Sequence, residues 1–259
     1  ESILESLDFR RAMRKVDDEW GQDWRFKVWG PENLSENGLE NRDSWVLQQT
    51  DKWHGFGKLS ESFNMLDPIK STIITPGLNV DGEFDTEFGI PAMIVTKYLA
   101  EHGVIVEKTG LYSFFIMFTI GITKGRWNTL VAALQQFKDD YDKNQPIWKV
   151  LPEFSQKYPM YESIGLKDLC DKIHTVFKEN NIAKLTTEMY LSNMEPAMKP
   201  TDAFAKMAHK EIERVPIDEL EGRITSVLLT PYPPGIPLLI PGERFNKIIV
   251  DYLTFARSF

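Results

Sequence analysis

The sequence predicts an α+β fold: an antiparallel sheet covered by helices, followed by a second region that mixes helices with β segments. Three observations predict it. Between Asp67 and Asn128, an extended apolar run, a helix and two further apolar runs follow one another with short Gly- or Pro-containing connections. Residues 126–141 continue as a long amphipathic helix. After Asn144-Gln145-Pro146 the pattern changes to short amphipathic helices, so a domain boundary is expected near residue 145, dividing the chain into 1–145 and 146–259.

The first helix covers residues 2–19, with Ile3, Leu4, Leu7, Met13 and Val16 on one face and Arg10, Arg11, Arg14 and Lys15 elsewhere. Trp24, Phe26 and Val28 alternate with Arg25 and Lys27 as a half-buried strand ending at Gly30-Pro31. Residues 31–43 read as a loop and Ser44 to Gln49 as a second strand. Asp67-Pro68 precedes an extended segment from Ser71 to Thr75, closed by Pro76-Gly77. Pro91 opens a helix whose buried stripe is Ile94, Val95, Tyr98 and Leu99, with Gly103 as its terminal glycine. Val104 to Glu107 and Tyr112 to Thr119 read as strands joined by Lys108-Thr109-Gly110. Beyond the boundary, helices are expected over 147–158, 166–180, 184–191 and from Pro200 to about Glu211. Strands are expected at 214–217, 224–229 and 238–240, the last within a proline-dense block, and a closing helix begins near Phe245.

A chain of 259 residues holds one large domain or two ordinary ones. Its net charge of −8 argues against nucleic acid as a partner, since phosphate neutralisation needs clustered Lys and Arg. The single cysteine, Cys170, excludes an intramolecular disulfide and suits a reducing cytoplasm. Apolar runs fall well short of the roughly 20 residues of a membrane span, so no membrane partner is expected. The chain opens on a charged helix without an initiating Met and stops abruptly at Phe259; both ends read as cut.

The familiar dinucleotide, P-loop, zincin and nucleophile-elbow patterns are missing, and His54, His102, His174 and His209 have no ligand spacing, so no metal is expected. Cys170, among Leu166, Leu169 and Ile173, reads as a core thiol. His209-Lys210 reads as a solvated helix face. His54, beside Trp53 and between glycine-flanked aromatics, is either structural or site-lining. Glu107 is the sharpest candidate, because a carboxylate on a buried strand is costly unless paired, whereas at a strand end it is an ordinary surface residue.

Seven blocks in order resemble the bacterial ornithine/lysine/arginine decarboxylases: W-H-G-F (53–56), L-D-P-I-K (66–70), T-P-G (75–77), G-I-P-A (89–92), V-E-K-T-G (106–110), E-G-R-I (221–224) and Y-P-P-G-I-P…P-G-E (232–243). The resemblance implies an aminotransferase-like small domain followed by a truncated decarboxylase C-terminal domain. It also implies pyridoxal phosphate, bound by a large domain of the same parent chain. That domain's Ser-x-His-Lys lysine and pyridine-pairing aspartate have no counterpart here, so no catalytic or cofactor-binding residue is expected in this chain, and it is expected to be inactive alone. The implied reaction is decarboxylation of a basic amino acid, lysine to cadaverine first and arginine to agmatine close behind. The implied assembly is a homodimer built into larger rings. Glu107 then matches the acidic residue that meets the substrate's distal ammonium; Trp53 and His54 match a family block and carry no assigned chemistry. The competing expectation is a stand-alone regulatory or binding module derived from such an enzyme.

Overall fold

The computed structural model describes residues 1–31, 41–51, 53–60, 64–232 and 235–258. It divides into two compact units, Glu1–Lys178 and Glu179–Phe259. The expected division near residue 145 thus moves to the end of the helix over 166–179. The physical reason is burial: Ile147, Val150, Leu151, Leu166, Leu169 and Cys170 belong to the same apolar core as Phe9, Ile73 and Leu134. A change of helix length and breaker density in the sequence marks a change of texture, not the limit of a core.

The first unit is built on a four-stranded antiparallel sheet of order β1-β2-β4-β3. Its strands are β1 (Lys27–Val28), β2 (Lys70–Ile74), β3 (Lys108–Thr109) and β4 (Ser113–Met117). Ile73 pairs with Phe114, and both are fully buried, so alternation turns Ser71, Ile73 and Phe114 inward. Two helices, α1 (Ser2–Trp20) and α2 (Ala92–Glu101), pack on the sheet, and α3 (Lys124–Asp142) packs against both of them. Rings interlock in the core, with Phe9 against Phe118 at 5.4 Å, Phe26 against Phe137 at 5.8 Å and Tyr98 edge-on to Phe137 at 5.2 Å. The Tyr98 hydroxyl donates to the buried Asp140 carboxylate at 2.9 Å, which satisfies both polar tips. Helices α4 (Ile147–Val150), α5 (Pro152–Lys157) and α6 (Leu166–Glu179) complete the unit.

Several local expectations are corrected. Arg10 belongs to the buried face of α1, with Leu7, Phe9 and Met13, while Ile3 and Leu4 are exposed. The Arg10 guanidinium reaches inward because it finds acceptors there: it donates to Trp29 O (3.0 Å) and Lys70 O (3.1 Å) and lies over the Trp45 ring. Burial, and then the neighbouring Arg14 charge, lower its pKa to about 10. Ser44–Gln49 forms no strand; a 3-10 turn over Arg42–Trp45 leads into a lone bridge between Val46 and Met65. The loop expected at 31–43 lies mostly outside the described residues, as do Lys52 and the Pro233-Pro234 pair. The strand expected over 104–107 starts later, at Lys108.

The second unit contains α7 (Ile182–Leu191), α8 (Pro200–Ala208) and α9 (Lys247–Ser258). A small core of Met189, Leu238, Leu239, Phe245 and Ile249 holds α7 and α9. The strands expected at 214–217, 224–229 and 238–240 are reduced to a 3-10 turn at Ile217–Glu219 and to the single bridges Ile224–Arg244 and Leu229–Leu239. Gly242 sits at φ 96, where a Cβ would stand 2.3 Å from Met198 O. The final P-G-E therefore needs its glycine for a close backbone crossing.

Candidate functional site

Glu107 occupies the bend immediately before β3. Its N–H donates to Phe115 O at 2.9 Å, which anchors the backbone to β4. Upstream, Val104 and Val106 pack on the core while Ile105 and Glu107 face out, so the expected side-chain alternation holds even though the segment is not hydrogen-bonded as a strand. Downstream, the buried Thr109 pairs with Phe114, and its hydroxyl donates to the Thr96 hydroxyl on α2 at 3.3 Å. The Gly110 N–H closes the turn on Ser113 O at 2.6 Å. Each residue of V-E-K-T-G apart from Lys108 thus has a defined anchor or exposure, and the Glu107 side chain is left outside the packing.

The carboxylate lines a pocket of about 590 Å³ between the bend, β4 and the start of α3. The wall is largely apolar, with Val106, Ile116, Phe118 and Leu130, and among the described residues Arg126 is the one cationic side chain on it. Among the described residues the Glu107 carboxylate has no ion pair and no hydrogen bond.

His54 is placed differently. It is buried, its Nε2–H donates to Gln48 O (2.9 Å), and its Nδ1 accepts the Phe56 N–H (3.0 Å). With both ring nitrogens used, His54 is a staple for its own loop. Trp53 packs on Trp29 with ring centroids 5.1 Å apart, donates its indole N–H to Asp51 at 3.2 Å, and accepts the Trp29 indole N–H on its carbonyl. Neither residue is among those lining the Glu107 pocket.

A second cluster, missed by sequence reasoning, accounts for two more blocks. The Tyr112 hydroxyl donates to His174 Nδ1 at 2.6 Å, and His174 Nε2–H donates to Asp85 O at 3.0 Å. Both rings are buried, and burial pushes the Tyr112 hydroxyl well above the usual phenol range, with the Cys170 thiol adding to it. A Cβ on Gly77 would stand 2.3 Å from the Tyr112 ring, and one on Gly89 would stand 2.1 Å from His174 Nδ1. T-P-G and G-I-P-A are also stitched together directly: Ile90 N–H donates to Pro76 O (2.8 Å) and the Thr75 hydroxyl to Ile90 O (2.6 Å). The signal in the sequence is the two glycines, Gly77 abutting the Tyr112 ring and Gly89 abutting His174 on α6.

Among the described residues, no group of three or more His, Cys, Asp or Glu side chains could hold a metal ion, and no helix is long and apolar enough to cross a membrane. His209-Lys210 lies at the exposed end of α8, with Lys210 at φ 63.

Comparison with known proteins decides the family. Residues 1–126 match the family model "Orn/Lys/Arg decarboxylase, major domain", and residues 183–259 match "Orn/Lys/Arg decarboxylase, C-terminal domain". The chain belongs to the Orn/Lys/Arg decarboxylase family. Among relatives in this family, lysine decarboxylase LdcA of Pseudomonas aeruginosa is 48% identical over 264 residues, covering 100% of this chain and 35% of the relative. The biodegradative arginine decarboxylase of Escherichia coli is 36% identical, covering 100% of this chain and 36% of the relative. The solved structure of lysine decarboxylase A from Pseudomonas aeruginosa superposes with a TM-score of 0.92 at 47% identity, covering 100% of this chain and 35% of that one. That of the Escherichia coli constitutive lysine decarboxylase gives 0.90 at 33%, covering 99% and 36%. The chain therefore spans about a third of the length of the Orn/Lys/Arg decarboxylases it matches.

Proposed function

We propose that this chain is the part of a basic amino-acid decarboxylase that recognises the far end of the substrate, and that Glu107 meets the substrate's distal cation. The observation that carries the reading is an unpartnered carboxylate on the wall of a largely apolar pocket, in a chain of the Orn/Lys/Arg decarboxylase family. An apolar wall suits the methylene chain of lysine, and the exposed carboxylate at its edge, free of any partner among the described residues, is available to form a charge-assisted hydrogen bond with the distal ammonium. Because the carboxylate is anchored at a fixed bend, it selects for the length of the side chain as well as its charge. Lysine is the favoured substrate and arginine the second, in keeping with the named activities of the relatives.

Pyridoxal phosphate, which the resemblance implies, does not fit the residues present. The one His-Lys pair lies on an exposed helix end with Lys210 in a left-handed conformation, and the pocket around Glu107 offers no lysine on its wall. No chemical step is assigned to residues of this chain; the cofactor belongs to the remaining part of the parent. The reading extends to a cytoplasmic homodimer or larger ring of full-length chains, with this chain inactive alone. Nothing in the comparisons favours the stand-alone regulatory module. In the full-length parent, Glu107→Gln should raise KM for lysine by a large factor, since the distal cation loses its charged partner. An unchanged kcat/KM for lysine would reject the role.

A further inference from the structure

Arg126 shares the wall of the pocket with Glu107. It lies in the first turn of α3, where its N–H donates to Thr123 O at 3.0 Å, and that turn holds no acidic residue. A cation there works against the positive end of the helix dipole, so Arg126 is not placed for the helix's benefit. Its guanidinium makes no ion pair or hydrogen bond among the described residues, and none joins it to Glu107. Two opposite, unpaired charges therefore border one pocket without neutralising each other directly.

The consequence lies in how the pocket discriminates by net charge. A basic amino acid carries one net positive charge, because its α-ammonium and α-carboxylate offset each other. The diamine left after loss of the carboxylate carries two. A pocket lined by a lone carboxylate would hold the dication more strongly than the monocation, and a decarboxylase built that way would retain its product. A cation on the same wall opposes the second ammonium and leaves the zwitterionic end of the substrate nearly unaffected. We propose that Arg126 is a specificity-determining residue that sets the pocket's preference for the singly charged amino acid over the doubly charged diamine. This inference rests on Glu107 being the partner of the distal cation.

The test uses the full-length parent enzyme with lysine as substrate and cadaverine as product inhibitor. Arg126→Gln should lower the ratio of product Ki to substrate KM by roughly two- to fivefold, the range open to an exposed charge. The effect should shrink as salt is added, because exposed charges are screened. Arg126→Lys, which keeps the charge on a different shape, should restore the ratio. An unchanged ratio in a folded Arg126→Gln enzyme, or a ratio in Arg126→Lys that stays with the Gln variant, would overturn the inference. Glu107→Gln separates the two claims. If it leaves KM untouched, the underlying reading fails. If it raises KM while Arg126→Gln leaves the ratio unmoved, only the role of Arg126 falls.

Discussion

The Tyr112 hydroxyl and His174 Nδ1 lie 2.6 Å apart across 62 residues of sequence, and this contact fixes how closely the segment carrying Gly77 and Gly89 approaches α6. Tyr112→Phe would leave a buried ring nitrogen without its donor, at a cost of about 1–3 kcal/mol in urea unfolding. Gly89→Ala should cost roughly 3 kcal/mol, because the new methyl would overlap the imidazole and the next residue, Ile90, is hydrogen-bonded at both its N–H and its carbonyl. Combining Gly89→Ala with His174→Ala should cost clearly less than the two single changes added together, since removing the ring removes the clash. Additive losses would mean that the two residues do not meet.

Glu101 ends α2 with a nearly buried side chain whose oxygens accept the Glu153 and Phe154 N–H groups at 3.1 and 3.0 Å. It is a capping carboxylate supplied from another helix, since the first N–H groups of α5 have no partner within their own turn. Glu101→Ala should destabilise the first unit by about 1–2 kcal/mol and speed amide exchange at the start of α5.

Cys170 is fully buried, and burial, with Asp171 adding to it, pushes its thiol far above the ordinary range. Thiolate formation is what alkylating reagents require. Native protein should therefore resist iodoacetamide at neutral pH and react once urea unfolds it; rapid labelling of the native state would contradict the packing.

Glu107→Gln should change the unfolding free energy by less than about 0.5 kcal/mol, because the side chain is exposed and no described partner loses a contact. A large loss of stability would show the carboxylate to be structural, and it would then be a poor candidate for holding a substrate. Circular dichroism melts on the same preparation used for kinetics would separate the two outcomes.

The helices α2, α3 and α6 were legible because their apolar spacing, Pro91 and Gly103 act within a few residues of one another. The β segments were less so. Val104-Ile105-Val106 has the composition of a strand, yet it serves as an extended connection whose side chains alternate without a ladder. The helical spacing sets Arg10 apart from the apolar face of α1, whereas the two carbonyls that accept its guanidinium come from residues 19 and 60 positions away. Glu107 was legible as an awkward carboxylate, but its companion Arg126 was not, since pocket walls are assembled from segments whose proximity no local pattern encodes. His54 and Trp53 are tied into their own loop by hydrogen bonds and ring contacts, and composition alone does not separate such a role from chemistry.

The sheet's outer strands, β1 and β3, are each two residues long, while the paired inner strands are five. Long free edges are where sheets recruit foreign strands, and here the rims are too brief to template one. The bend that carries Glu107 adjoins one of these rims, so the chain can hold an exposed charge and the exposed Ile105 there without offering a ladder for self-association.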